Sequence, residues 1–110
     1  MKAEIRKDKF YRSRGATTSL FTILCSKCGV RICTYQKDGT GNLHRLYWDR
    51  IIEPSEQFNI PAYHKDRTLK ELPYLVCSCR NVVGVPMLYK KEGRFALRLI
   101  HGSIHKTKLV

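Results

Sequence analysis

The stretch CSKCGVRIC, residues 25–33, decides how this chain is read. Cysteine, two residues, cysteine and then glycine have the outline of a metal knuckle. A tight turn there presents two thiolates to one ion, and Gly29 suits a backbone that must turn through positive φ and aim its amide hydrogens at sulfur. A second pair, CSC at 77–79, follows in the C-terminal half, and Cys33 makes a fifth cysteine. A tetrahedral soft-ligand site needs four. Cys25, Cys28, Cys77 and Cys79 are therefore assigned as ligands of a zinc ion. The C-x-C pair is the looser signal, because one intervening residue strains a shared tetrahedral site. Cys33 lies on a predicted strand beyond the knuckle and reads as a semi-buried thiol. The alternative is that it replaces Cys77 or Cys79 as fourth ligand.

Four thiolates leave a zinc ion no open coordination position. No H-x-E or H-E-x-x-H motif supplies a base, and His44, His64, His101 and His105 lack helix-type ligand spacing to any cysteine. The zinc is expected to be structural and the chain not an enzyme.

Working outward, the apolar segment LFTIL (20–24) runs into the first knuckle as a strand, and VRICTYQ (30–36) leaves it as a strand with one buried face. KDGTGN (37–42) reads as a hairpin turn, with LHRLYW (43–48) as the return strand. PYLVC (73–77) enters the second knuckle and VVGVPMLY (82–89) leaves it, Pro86 pointing to an edge or a bulge. RFALRLI (94–100) alternates most clearly. The expectation is a mainly β fold of antiparallel sheets, a strand–knuckle–strand unit used twice. Residues 49–72 contain Pro54 and Pro61, and only TLKEL promises a helical turn; a loop this long is usually a binding loop or carries undetected structure. Residues 1–19 read as a basic arm or edge strand, 20–105 as one zinc-binding β domain, and 106–110 as a tail.

At 110 residues the chain is one domain with a modest core, for which a metal staple is plausible. The absence of an apolar leader pattern or membrane-length apolar run, together with clustered cysteines, predicts a cytoplasmic or nuclear protein with reduced thiols and no membrane partner. The net charge of +12 is end-loaded: residues 2–14 carry +4 and 90–108 carry +5, against +3 for the long middle. Should the ends meet, they make one basic surface that attracts phosphates through counterion release. The competing reading is a solubility device with a frayed tail.

The two knuckles, each between antiparallel strands, and the run CSCRNVVGVPMLYKKEGRFALRL (77–99) resemble the zinc-bound β-tent modules: the Yippee-like, Mis18-like and cereblon thalidomide-binding domains, and the related zinc-binding methionine-R-sulfoxide reductases. The resemblance covers residues 20–100 in outline. It implies a zinc-stapled β-tent and a protein-interaction or small-ligand role. The departures are a C-x-C second knuckle where the family has C-x-x-C, Ala96 and no cysteine on the last strand, which removes the reductase nucleophile, and a single tryptophan, Trp48, where the cereblon-like domains use a cage.

The leading expectation is a basic zinc module whose partner is nucleic acid or another protein. Arg6, Lys7, Arg12, Arg14, Lys90, Lys91, Arg94 and Arg98 are the candidate nucleic-acid contacts, interleaved with Phe10, Tyr11 and Phe95 for base stacking. One alternative is a small-ligand site built from Trp48 and the 49–72 loop. The other is a zinc–thiolate redox sensor.

Overall fold

The structure, a computed structural model, describes residues 5–15, 17–58 and 60–109. The chain opens with a five-residue helix, α1 (Lys9–Ser13), followed by β1 (Thr18–Cys25), β2 (Arg31–Asp38), β3 (Arg45–Tyr47), β4 (Ile51–Ile52), β5 (Leu75–Val76), β6 (Val82–Tyr89), β7 (Arg94–Leu99) and β8 (Ile104–Lys108). Two four-stranded antiparallel sheets result, in the orders β4-β2-β1-β8 and β3-β7-β6-β5.

Each knuckle joins two neighbouring strands of one sheet, the first β1 to β2 and the second β5 to β6. The mainly β expectation and the repeated strand–knuckle–strand unit hold. Three local expectations do not. Residues 37–42 are no hairpin turn: β3 leaves the first sheet altogether and pairs with β7, Leu46 opposite Leu97. Of the two readings of the N-terminal segment, arm or edge strand, residues 5–15 do not form the strand. Asp8 accepts hydrogen bonds from the Phe10 and Tyr11 amides at 3.0 and 3.2 Å and so starts a helical turn. The predicted edge strand began at residues 3 and 4, which lie outside the described residues. Residues 106–108, read as tail, belong to β8, where Thr107 stands opposite Thr22 on β1. A five-residue strand of polar residues is legible only through its partner.

Strand β2 is buried on both faces, not one: Ile32, Cys33, Thr34, Tyr35 and Gln36 are all inside. The N-terminal arm covers its second face, the Arg6 amide donating to Gln36 Oε1 at 2.7 Å and Gln36 Nε2 donating back to the Arg6 carbonyl at 2.8 Å. Pro86 sits within β6, opposite Leu97. It is tolerated because β5 pairs only as far as Gly84, leaving the other side of β6 open at Pro86.

The core between the sheets holds Ile23, Ile32, Leu46, Leu75, Val83 and Leu97. Trp48 joins it, 1% exposed, with its indole N–H on the Pro61 carbonyl at 2.7 Å. That bond holds down the 49–72 segment, which contains β4 and the 3-10 turns Glu56–Phe58 and Leu69–Glu71, with a further 3-10 turn, Trp48–Arg50, at its start. Thr68 and Glu71 form a capping box on the Leu69–Glu71 turn, the one place where helical structure was expected.

The sheets are also stitched by charge. Arg50, 1% exposed, donates from Nε to Asp38 at 2.8 Å and from its terminal nitrogens to Asp8. Arg94 donates to Asp49 at 2.7 Å and to Glu92 at 3.2 Å, and Glu92 also accepts from Arg14 at 3.0 Å. This chain of pairs ties the arm to both sheets.

Candidate functional site

The four sulfurs of Cys25, Cys28, Cys77 and Cys79 all lie within 4.8 Å of one another. Cys25 is 3.7 Å from Cys79, and Cys28 is 3.4 Å from Cys77. Together the four thiols can hold one metal ion. Cys25 and Cys77 are buried and Cys28 and Cys79 exposed, so the site sits half in the core and half at the surface.

The two knuckles are one device at two lengths. In the first, the Cys25 amide donates to the Val30 carbonyl at 2.9 Å and Gly29 donates back to Cys25 at 2.9 Å. In the second, the Cys77 amide donates to the Asn81 carbonyl at 2.9 Å and Arg80 donates back to Cys77 at 2.8 Å. The residue after the second cysteine takes a left-handed backbone in both, Gly29 at φ 78° and Arg80 at φ 73°. A C-x-C turn therefore reaches the same site by dropping one residue, and it places a side chain where glycine would be unstrained.

Two residues that sequence reasoning missed brace this centre. Asn81 Nδ2 donates to Cys25 Sγ at 3.3 Å and to the Ser103 carbonyl at 3.0 Å. The Ser103 carbonyl also accepts the Ser26 amide at 3.0 Å, while the Ser103 hydroxyl donates to the Val83 carbonyl at 3.1 Å. Such outer contacts orient ligands and stabilise thiolate charge. Nothing in the local sequence marks Ser103, which acts from the β7–β8 connection.

Thiol acidity follows this arrangement. Burial opposes ionisation of Cys25, but the Cys28 and Lys27 amides and the Asn81 carboxamide outweigh it and hold the thiol down at about 6. Cys28 accepts from the Val30 amide, which favours its thiolate, yet the adjoining Cys77, Cys25 and Cys79 sulfurs push it up to about 12. Without a cation Cys25 ionises at the expense of Cys28 and Cys79, and a bound divalent ion removes that conflict.

Cys33 is wholly buried in β2 and lies outside the cluster, its thiol pushed up to about 12 by burial. It is a core residue, more deeply buried than the semi-buried thiol expected.

The basic candidates divide. Arg6, Lys7, Arg12, Lys90, Lys91 and Arg98 are exposed. Arg14 is half-buried on Glu92 and Tyr47. Arg94 is only 4% exposed, bonded to Asp49 and Glu92 and stacked between Tyr47 and Phe10, its guanidinium 3.7 and 4.0 Å from the ring centroids. Its position removes it from the set of available phosphate contacts. Phe10 has one ring face on that stack, and Phe95 packs partly buried against the core. The arm packs on the β6–β7 turn through Arg14–Glu92 and Phe10–Arg94, bringing the two basic ends together. Trp48, the anchor of the small-ligand alternative, lies inside the core. Among the described residues no helix is long and apolar enough to cross a membrane.

Comparison with protein-family models, with curated proteins and with solved structures returned no match.

Proposed function

We propose that this protein is a zinc-stapled β module that binds single-stranded nucleic acid through its basic surface. Zinc is favoured by the donor set: a tetrahedral site with Zn–S near 2.3 Å spaces its sulfurs about 3.8 Å apart, close to the separations of the Cys25–Cys79 and Cys28–Cys77 pairs. Four thiolates close the coordination sphere, which supports a structural ion and a chain without chemistry of its own. The two-knuckle arrangement keeps the β-tent resemblance as part of this reading.

The observation that carries the binding role is the allocation of charge. Among the described residues every ion pair is made by an arginine, namely Arg14, Arg31, Arg50, Arg67 or Arg94. Among the described residues no lysine–carboxylate pair is formed. Asp8, Asp38, Asp49, Glu53, Glu71 and Glu92 are engaged by a few arginines, and most of the remaining cations face solvent. A surface of that kind gains most from a polyanion.

The test is fluorescence anisotropy of a labelled single strand and of its duplex over a salt series, with metal analysis of the same preparation. One zinc per chain and a single-strand affinity that falls steeply with salt support the proposal. Absent binding at low salt, or affinity indifferent to salt, refutes it.

A further inference from the structure

The KDGTGN segment carries the chain from β2 in one sheet to β3 in the other, with Gly39 and Gly41 at φ 76° and 103°. No backbone amide from Thr40 to His44 donates to a backbone acceptor among the described residues. Two cavities of ≈ 100 and ≈ 460 Å³ adjoin this connection, and both are lined by Asn42, Leu43 and His44.

The smaller cavity is walled by Arg14, Lys37, Arg45 and Arg50. Its one carboxylate, Asp38, is already engaged by Arg50 at 2.8 Å and by Gln36 at 2.8 Å. Lys37 is half-buried, and among the described residues its ammonium is hydrogen-bonded only to the neutral Gly39 carbonyl, at 3.3 Å. Burial and the neighbouring charges of Lys106 and Arg14 depress its proton affinity, and Asp38 compensates only in part. A half-buried ammonium held among like charges, with its nearest carboxylate committed elsewhere, is stabilised by an incoming anion. The larger cavity has another character. Leu43, Leu99 and Ile104 give it an apolar wall, His44, His101 and Lys106 stand around it, and no carboxylate lines it. Its volume falls in the usual range of about 300–1,000 Å³ for a small-molecule site, whereas the smaller cavity is suited to a single tetrahedral oxyanion.

We propose that these neighbouring cavities, which share Asn42, Leu43 and His44 as lining, bind one nucleotide unit, its phosphate against Lys37 and Arg45 and its base against Leu43, Leu99 and Ile104. Lys106, whose ammonium lies 5.1 Å from the Phe21 ring centroid, takes the adjoining phosphate of a strand. This site rests on the nucleic-acid reading and gives it a location. The unit belongs to a single strand; a free nucleoside monophosphate presents the same chemistry and forms the second arm of the test.

Binding of labelled oligo-dT to the zinc-loaded protein is measured over a salt series. Lys37→Ala with Lys106→Ala is compared with Lys65→Ala with Lys70→Ala, an equal loss of charge on the 49–72 segment. Two single-strand phosphate contacts contribute a log–log salt slope of about −1.4, so the cavity variant weakens binding about 50-fold at about 50 mM salt and flattens the slope by about 1.4. The comparison variant stays within about twofold. In parallel, AMP is titrated into ¹⁵N-labelled wild type, a readout that needs no variant to fold; shifts at Lys37, Asn42, Leu43, His44 and Lys106 are expected. Strand binding with equal loss in both variants, or with none in the cavity variant, overturns the site and leaves the nucleic-acid reading standing. AMP shifts at these residues without strand binding keep the site for a free nucleotide and overturn the strand reading. Neither strand binding nor AMP shifts overturns both.

Discussion

The two knuckles offer an experiment with opposite expected signs. Gly29 and Arg80 occupy equivalent places, each directly after a cysteine and each at positive φ. A Cβ added at Gly29 meets no atom within 4 Å, so the cost of Gly29→Ala is backbone strain alone. That strain is about 1–2 kcal/mol for an L-residue in the left-handed region. A less flexible unfolded chain returns about 0.4–1 kcal/mol of it. Gly29→Ala is therefore expected to destabilise by about 0.5–1 kcal/mol, and Arg80→Gly, at an exposed side chain, to stabilise by a similar amount. For a domain of this length 1 kcal/mol corresponds to about 4 °C in Tm. Circular-dichroism melts of both variants, at one fixed free zinc concentration so that linkage to metal is constant, are expected to move by about 2–4 °C in opposite directions. Zinc content is measured alongside to exclude a change of stoichiometry. If Arg80→Gly lowers Tm, or Gly29→Ala leaves it unchanged, the equivalence of the two turns is wrong.

Removing zinc with a strong chelator is expected to abolish the near-UV spectrum, because structural zinc contributes about 10 kcal/mol or more, comparable with the entire stability of a small domain; an unchanged spectrum contradicts the structural assignment. Arg50→Met leaves Asp38 buried without its cation and is expected to cost about 3–5 kcal/mol in urea denaturation, and adding Asp38→Asn should recover part of that loss. Asp8 is opposed by burial but held down at about 2 by the Arg50 guanidinium and two helix amides, below its ordinary 3.8. Its contribution is thus fully present above about pH 4 and lost as pH falls towards 2; because the side chain is 39% exposed, solvent screening reduces it to about 1 kcal/mol. Asp8→Asn, which preserves the helix cap, should flatten the stability profile in that pH window, and an unaltered profile would show that the arm contributes nothing there.

The parts of the molecule that depend on neighbours in sequence were legible from the sequence. Alternation is a property of successive Cβ directions, so β7 could be read from RFALRLI, and the apolar, β-branched runs LFTIL and VVGVPMLY beside the two knuckles marked β1 and β6. The cysteine spacing named the four thiols the fold brings together, since a tight turn fixes two sulfurs regardless of what surrounds it. Thr68 and Glu71 likewise announced their own 3-10 turn.

What only tertiary structure decided is whatever depends on a distant partner. Two glycines after β2 suggest a hairpin, but the chain crosses to β7 because Leu46 is buried against Leu97. The polar strand β8 exists through its ladder to β1. Arg94 and Lys90 are alike in sequence, yet Asp49, Tyr47 and Phe10 enclose one while the other remains in water. Asn81 reaches Cys25, and Ser103 holds Asn81 in place, only because the second knuckle and the β7–β8 connection close over the first knuckle. Local pattern specifies which residues turn or alternate. Burial and pairing between remote segments decide that Cys33 belongs to the core and which cations are left facing water.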